Sequence, residues 1–169
     1  MVTRKHITQQ ITESFSGVGA PTIDRERNIV RGMKIASPKS ANGRDYTEAL
    51  KGSAKLYENA PVSLNHPANG QIPTAESRFG KFVNVVERAD GVYGDRAYNP
   101  KHVHAEQILW AVENQPDTLA NSHRVEAQGR KVGGELKVEK LTRVRGVEIV
   151  TEGGMNSTLS EAEEVPPAD

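Results

Sequence analysis

The sequence predicts a β-rich α+β domain, an antiparallel barrel-like sheet with helices packed on its outside. Three observations point there. Six or seven short segments alternate apolar and polar residues, the spacing of half-buried strands. Turn residues join several of them at hairpin distance. Only two stretches carry helical spacing, and no Gly-rich phosphate loop follows a strand, which disfavours a doubly wound parallel sheet.

Taken in order, residues 1–26 are polar and broken by Gly17, Gly19 and Pro21, so a flexible N-terminal arm with at most one short strand is expected. Asn28 to Ile35 alternates (Ile29, Val30, Met33, Ile35) and predicts the first strand of the domain proper. Ser37-Pro38 through Asn42-Gly43 is turn chemistry. Asp45, with Glu48 three residues on, has capping-box spacing for a helix carrying Leu50, Ala54 and Tyr57 and stopping at Asn59-Ala60.

Ala60 to Asn65 predicts a short strand ended by His66-Pro67, because Pro67 has no N–H to give to a ladder. A loop with Gly70 and Pro73 follows. Phe79 to Val86 and Gly91 to Tyr98 form a hairpin about Ala89-Asp90-Gly91. Asn99-Pro100 opens the clearest helix, with Ile108, Leu109 and Val112 as its apolar stripe, Trp110 on its flank and Gln115-Pro116 as its stop. Thr118 to Val125 predicts a strand, Gly129 to Gly134 a turn, and Glu135 to Val150 one or two strands more. The domain therefore spans 27–153, followed by a Gly-, Ser-, Glu- and Pro-rich acidic tail over 154–169 that is expected to be disordered.

Composition narrows the function classes. The 169 residues suffice for one domain with a real core. Lys plus Arg number 22 and Asp plus Glu 22, a balance that argues against a nucleic-acid binder, which needs basic surface to pair with phosphates. With no cysteine, disulfides, a thiol nucleophile and Cys-ligated zinc are excluded. No apolar run spans a bilayer and no apolar signal core opens the chain, so an intracellular protein with no membrane partner is expected.

Five histidines are candidates for chemistry. His6 falls in the arm. His102 and His104, two apart near a helix start, point to different faces and make a poor metal pair. His66 ends an apolar strand, where a base is held rigidly yet faces a cleft; it also fits a histidine satisfied by backbone hydrogen bonds. Ser122 lies in Leu119-Ala120-Asn121-Ser122-His123-Arg124-Val125, a candidate nucleophile or an ordinary strand serine. His123 is its neighbour in sequence, but adjacent strand side chains face opposite sides, so a distant histidine suits the role of base better. Glu148 is a lone acid between Val147 and Ile149, either facing water or buried with a partner.

These pieces, in this order, resemble the prohead maturation proteases of tailed phages, a family similar in fold to the herpesvirus assemblins. Ser37, Ser40, Asn42-Gly43-Arg44, Tyr46 and Ala49-Leu50 resemble its N-terminal signature, and Val62 with His66-Pro67 resembles its base motif. Phe79-Gly80-Lys81, Val83-Asn84-Val85 and Asp90-Gly91-Val92-Tyr93-Gly94 resemble the hairpin that follows. Asn121-Ser122-His123 resembles the nucleophile strand, and Val144 with Gly146-Val147-Glu148-Ile149-Val150 the closing element. The likeness covers about residues 28–153. Two positions depart from the pattern: Ala120 stands where glycine is common, and Glu148 where aspartate is.

The resemblance implies a serine endopeptidase with Ser122 as nucleophile, His66 as base and Glu148 as third member of the triad, working without a cofactor or metal. It implies phage scaffold and major capsid proteins as substrates, in the host cytoplasm inside the assembling prohead. It leaves self-association and the oxyanion donors open, and equally a catalytically inactive assembly protein of the same fold. Leu or Ile, any residue, then Glu is a cleavage pattern of some relatives; Ile11-Thr12-Glu13, Leu56-Tyr57-Glu58 and Leu159-Ser160-Glu161 fit it, which suggests self-trimming at the two ends.

Overall fold

A computed structural model of the chain describes residues 7–68, 71–151 and 162–164. One sheet dominates it, built from β1 (Ile7–Ser16), β2 (Thr22–Asp24), β3 (Ile29–Ala36), β4 (Pro61–Leu64), β5 (Arg78–Arg88), β6 (Gly91–Tyr98), β7 (Leu119–Val132), β8 (Glu135–Thr151) and β9 (Ala162–Glu164). Two helices, α1 (Ala54–Tyr57) and α2 (Ala105–Asn114), accompany it. The strands run in the order β2-β3-β6-β5-β4-β8-β7-β1-β9.

This architecture corrects the barrel expectation. The sheet is open, because β2 and β9 each have a neighbour on one side only. It is also mixed, because β4 runs parallel to β8, with Val62, Ser63 and Leu64 opposite Val147, Glu148 and Ile149. Hairpin signals report pairing between strands that are close in sequence. The β4–β8 pairing joins strands far apart in the chain, and no local signal encodes it.

The arm expectation also gives way where the chain is described. Residues 7–16 form a ten-residue strand paired along its whole length with β7, from Ile7 opposite Gly129 to Ser16 opposite Ala120. Ile11 and Phe15 are buried, so alternate side chains of β1 belong to the core. Ile11-Thr12-Glu13 is thus interior strand rather than a loose end, and Leu56-Tyr57-Glu58 straddles the end of α1. Leu159-Ser160-Glu161 lies outside the described residues, as does the acidic tail apart from β9.

Elsewhere the local chemistry sets the boundaries. The segment after Asp45 makes turns before a single helical turn, α1, rather than one continuous helix. Asn59 follows it with φ 65°, a left-handed residue that ends the helix and aims the chain into β4. β7 runs on through the first part of the expected 129–134 turn, and the hairpin closes at its end on Gly133-Gly134, both at positive φ, the two-residue geometry that long twisted hairpins require. α2 buries Ala105, Leu109 and Val112 and leaves Trp110 outward, as its spacing predicts.

The core includes the buried Phe15, Tyr46, Tyr57, Phe79, Phe82 and Val147. Each such aromatic or branched side chain contributes on the order of 1.5–3 kcal/mol by leaving water. Polar links also cross it. Arg96 on β6 donates to Asn121 Oδ1 on β7 at 2.6 Å, and Asn121 Nδ2 donates to the Lys34 carbonyl on β3 at 2.8 Å. Residue 121 is therefore tied from the far half of the sheet, and the next residue is Ser122.

Candidate active site

Strand register builds the site. Ser122 on β7 lies opposite Ser14 on β1 and opposite Glu148 on β8, and Glu148 lies opposite Ser63 on β4. Directly opposed residues share a face, with Cβ atoms about 4.5–5.5 Å apart. Four strands thus set Ser14, Ser122, Glu148 and Ser63 in one row, and all four residues are buried. Alternation sends Asn121 and His123 to the other face, into the core.

His123 is accordingly a core residue. Its Nδ1 shares a 2.7 Å hydrogen bond with the Tyr57 hydroxyl, and its ring meets Phe15 and Tyr46 edge-on. Burial, then the Arg44 charge, lower its pKa to about 3, so it is neutral at neutral pH. The expectation that a neighbour in sequence would not serve Ser122 agrees with this placement.

His66 follows the end of β4, two residues after Leu64. Asn65 donates its N–H to the Ile149 carbonyl at 3.0 Å and adopts φ 61°, so the chain leaves the ladder immediately before His66. His66 is half-buried, and its Nδ1 is buried without a hydrogen-bond partner. Burial, then the nearby Arg124 cation, hold its pKa below the usual histidine value. Arg124 is two residues beyond Ser122 on the same face of β7.

Glu148 is fully buried, and of the two readings left open by its sequence it takes the buried one. Its Oε1 accepts a hydrogen bond from Arg124 Nε, while Oε2 has no partner. Burial raises its pKa, and the Arg124 charge and hydrogen bond pull it back down. Sequence reasoning missed Arg124. The available signal was its position, two residues after Ser122 and therefore on the same face.

The chemistry of this arrangement follows from what is left unbonded. A buried polar atom without a partner costs about 1–3 kcal/mol. Among the described residues the buried side-chain atoms in this condition are Ser122 Oγ, His66 Nδ1 and Glu148 Oε2, together with atoms of Gln9, Arg96 and His123. The last three belong to the core side. The first three are atoms of a hydroxyl on β7, an imidazole just beyond the end of β4 and a carboxylate on β8, and these strands are neighbours in the sheet. A hydroxyl near a neutral imidazole can give up its proton, and a carboxylate can hold the imidazolium that results.

The remaining histidines are otherwise engaged. His102 Nε2 bonds the Glu76 carbonyl at 2.9 Å, and its Nδ1 accepts the His104 N–H at 3.1 Å. His6 lies outside the described residues. Among the described residues no three His, Asp or Glu side chains converge as a metal site, and no helix is long and apolar enough to cross a membrane.

Among solved structures, the fold is similar to that of the capsid assembly protease of bacteriophage T4, with a TM-score of 0.58 over 84% of this chain and 96% of that one. Identity between the two is 16%, so the likeness is one of fold. No protein-family model matches the chain, and no curated protein matches it.

Proposed function

We propose that this chain is a serine endopeptidase of phage prohead maturation, with Ser122 as nucleophile, His66 as general base and Glu148 as the acid that supports it. The observation that carries the reading is the set of three buried, unbonded atoms, Ser122 Oγ, His66 Nδ1 and Glu148 Oε2, on or just beyond the neighbouring strands β7, β4 and β8. The fold shared with a capsid assembly protease supports the same reading.

In this mechanism the Ser122 Oγ–H bond breaks as Oγ attacks the scissile carbonyl, and His66 takes the proton. The imidazolium returns it to the leaving amine as the C–N bond breaks, leaving an acyl-enzyme. Water then repeats the sequence in reverse and frees the serine. Its lowered pKa keeps His66 neutral at neutral pH, as a base must be. The substrates are scaffold and major capsid proteins, and the place of action is the interior of the assembling prohead in the host cytoplasm.

A second reading, an inactive assembly protein of this fold, is favoured by one observation. Ser122 is 0% exposed, and the Glu148 carboxylate is bonded to Arg124 rather than to His66. Fluorophosphonate labelling separates the two. Peptide mapping of the labelled protein is expected to find the adduct on Ser122, and Ser122→Ala and His66→Ala each abolish it. A wild-type protein that stays unlabelled, while its capsid and scaffold proteins remain uncut on co-expression, would favour the inactive assembly protein.

A further inference from the structure

Arg124 has no part in the triad as drawn, yet it touches its weakest member. Glutamate has one more rotatable bond than aspartate, and a carboxylate that must face an imidazole loses effect if it swings. Here the swing is restrained. Arg124 Nε holds Oε1, and the oxygen left over, Oε2, is buried and unbonded. The Arg124 side chain is 18% exposed and that of Glu148 1%, so the pair is largely shielded from solvent.

The guanidinium lies where it does because of a glycine. Arg124 is the strand partner of Gly146, and Glu148 is two residues further along β8 on the same face. A Cβ built on Gly146 would come within 2.7 Å of Arg124 Nη2. The bare backbone of Gly146 is therefore the berth across which the guanidinium reaches Glu148.

We propose that Arg124 is a positioning residue of the site: laid over Gly146, it fixes Glu148 through Oε1 and so presents Oε2 to the His66 imidazole. The proposal rests on the serine-protease reading and deepens it. One carboxylate oxygen is anchored, and the other is free to accept from Nδ1–H when the ring becomes protonated. The charged side chains nearest the end of β4 are exposed Arg78 on β5, opposite Ser63, and Glu148 on β8, with Arg124 one strand beyond. Arg124 is the charge that bears on His66 in the resting state.

Three variants test it: Arg124→Met removes the anchor, Arg124→Lys keeps the charge without the Nε donor, and Gly146→Ala moves the guanidinium while removing no polar group. The rate of fluorophosphonate labelling at Ser122 is followed against pH, and His66 ring resonances are titrated by NMR in parallel. A misplaced supporting group typically slows chemistry on the order of 10–100-fold. That loss is expected for Arg124→Met and Gly146→Ala, with partial recovery in Arg124→Lys and a His66 pKa that rises in Arg124→Met. Thermal unfolding of each variant separates loss of fold from loss of position, and Gly146→Ala keeps the test open should Arg124→Met unfold. Wild-type labelling rates and an unmoved His66 titration in both Arg124→Met and Gly146→Ala would overturn the proposal. A wild-type protein that never labels overturns instead the protease reading on which it stands.

Discussion

Ser122 on β7 and Glu148 on β8 are direct strand partners, and each buries an oxygen that has no hydrogen bond. A fold that buries a hydroxyl oxygen and one carboxylate oxygen on directly opposed residues, each without a hydrogen bond, gives up stability at that point. That relationship ties the expected effects on stability to those on activity.

Ser122→Ala is expected to stabilise the protein while abolishing labelling. Removing an unsatisfied buried hydroxyl relieves about 1–2 kcal/mol of desolvation cost. For a chain of this size that corresponds to a rise in melting temperature of roughly 2–8 °C. Differential scanning calorimetry of the variant beside wild type checks it; a clear fall in melting temperature would mean that Oγ has a partner in solution.

Glu13 should be the most sensitive carboxylate of the core. It is fully buried and accepts hydrogen bonds from Asn42 Nδ2 at 2.9 Å, Arg44 Nη1 at 3.2 Å and the Tyr46 hydroxyl at 2.9 Å. The Asn42-Gly43-Arg44 turn is in this way clasped to β1, next to Ser14. Glu13→Ala leaves those donors facing an empty site and is expected to lower stability by about 3–5 kcal/mol, as removal of one partner of a buried charged network does. Denaturant unfolding gives the value. Arg44→Met should cost clearly less, because the Arg44 side chain is 25% exposed and Tyr46 and Asn42 continue to serve the acid.

His123 gives the stability a pH dependence. Its folded pKa is about 3 against an unfolded value near 6.5, so below pH 6.5 the unfolded chain binds a proton that the folded one refuses. Its contribution is complete above the unfolded pKa and declines as pH falls from 6.5 towards 3, by about 1.4 kcal/mol per pH unit. His123→Gln, with no proton to gain, should show a flatter dependence than wild type in urea melts between pH 7 and 4. Parallel curves would mean that His123 does not titrate in that window in the unfolded chain alone.

As the proposed base, His66 should set the acid limb of labelling at Ser122. Because burial and Arg124 lower its pKa, the neutral ring persists below the usual histidine range. Labelling at Ser122 should fall only below about pH 6.5 on the acid side. An inflection above 7 would mean that the base is paired with a carboxylate in the free protein.

The sequence, by itself, determined the elements whose cause is local. The hairpin about Ala89-Asp90-Gly91 and the stripe and stop of α2 follow from turn chemistry and helical spacing, and β4 ends at Leu64, just before the stop expected at His66-Pro67. It also separated Ser122 from His123, because alternation on a strand needs no knowledge of the fold. Ser122, His66 and Glu148 were singled out from residue type and motif order.

What the tertiary structure decided are the relations that no spacing encodes. β1 reads as a polar, broken arm because only every second side chain meets the core, and its ten-residue pairing with β7 depends on a partner strand far away in the chain. The parallel β4–β8 pairing sets Ser63 beside Glu148 and makes the sheet mixed. The partner of Glu148 followed from the β7–β8 register. Arg124 is its ion-pair partner because β7 and β8 bring the arginine over Gly146, and long-range register is fixed by packing the whole sheet, not by any one segment of it.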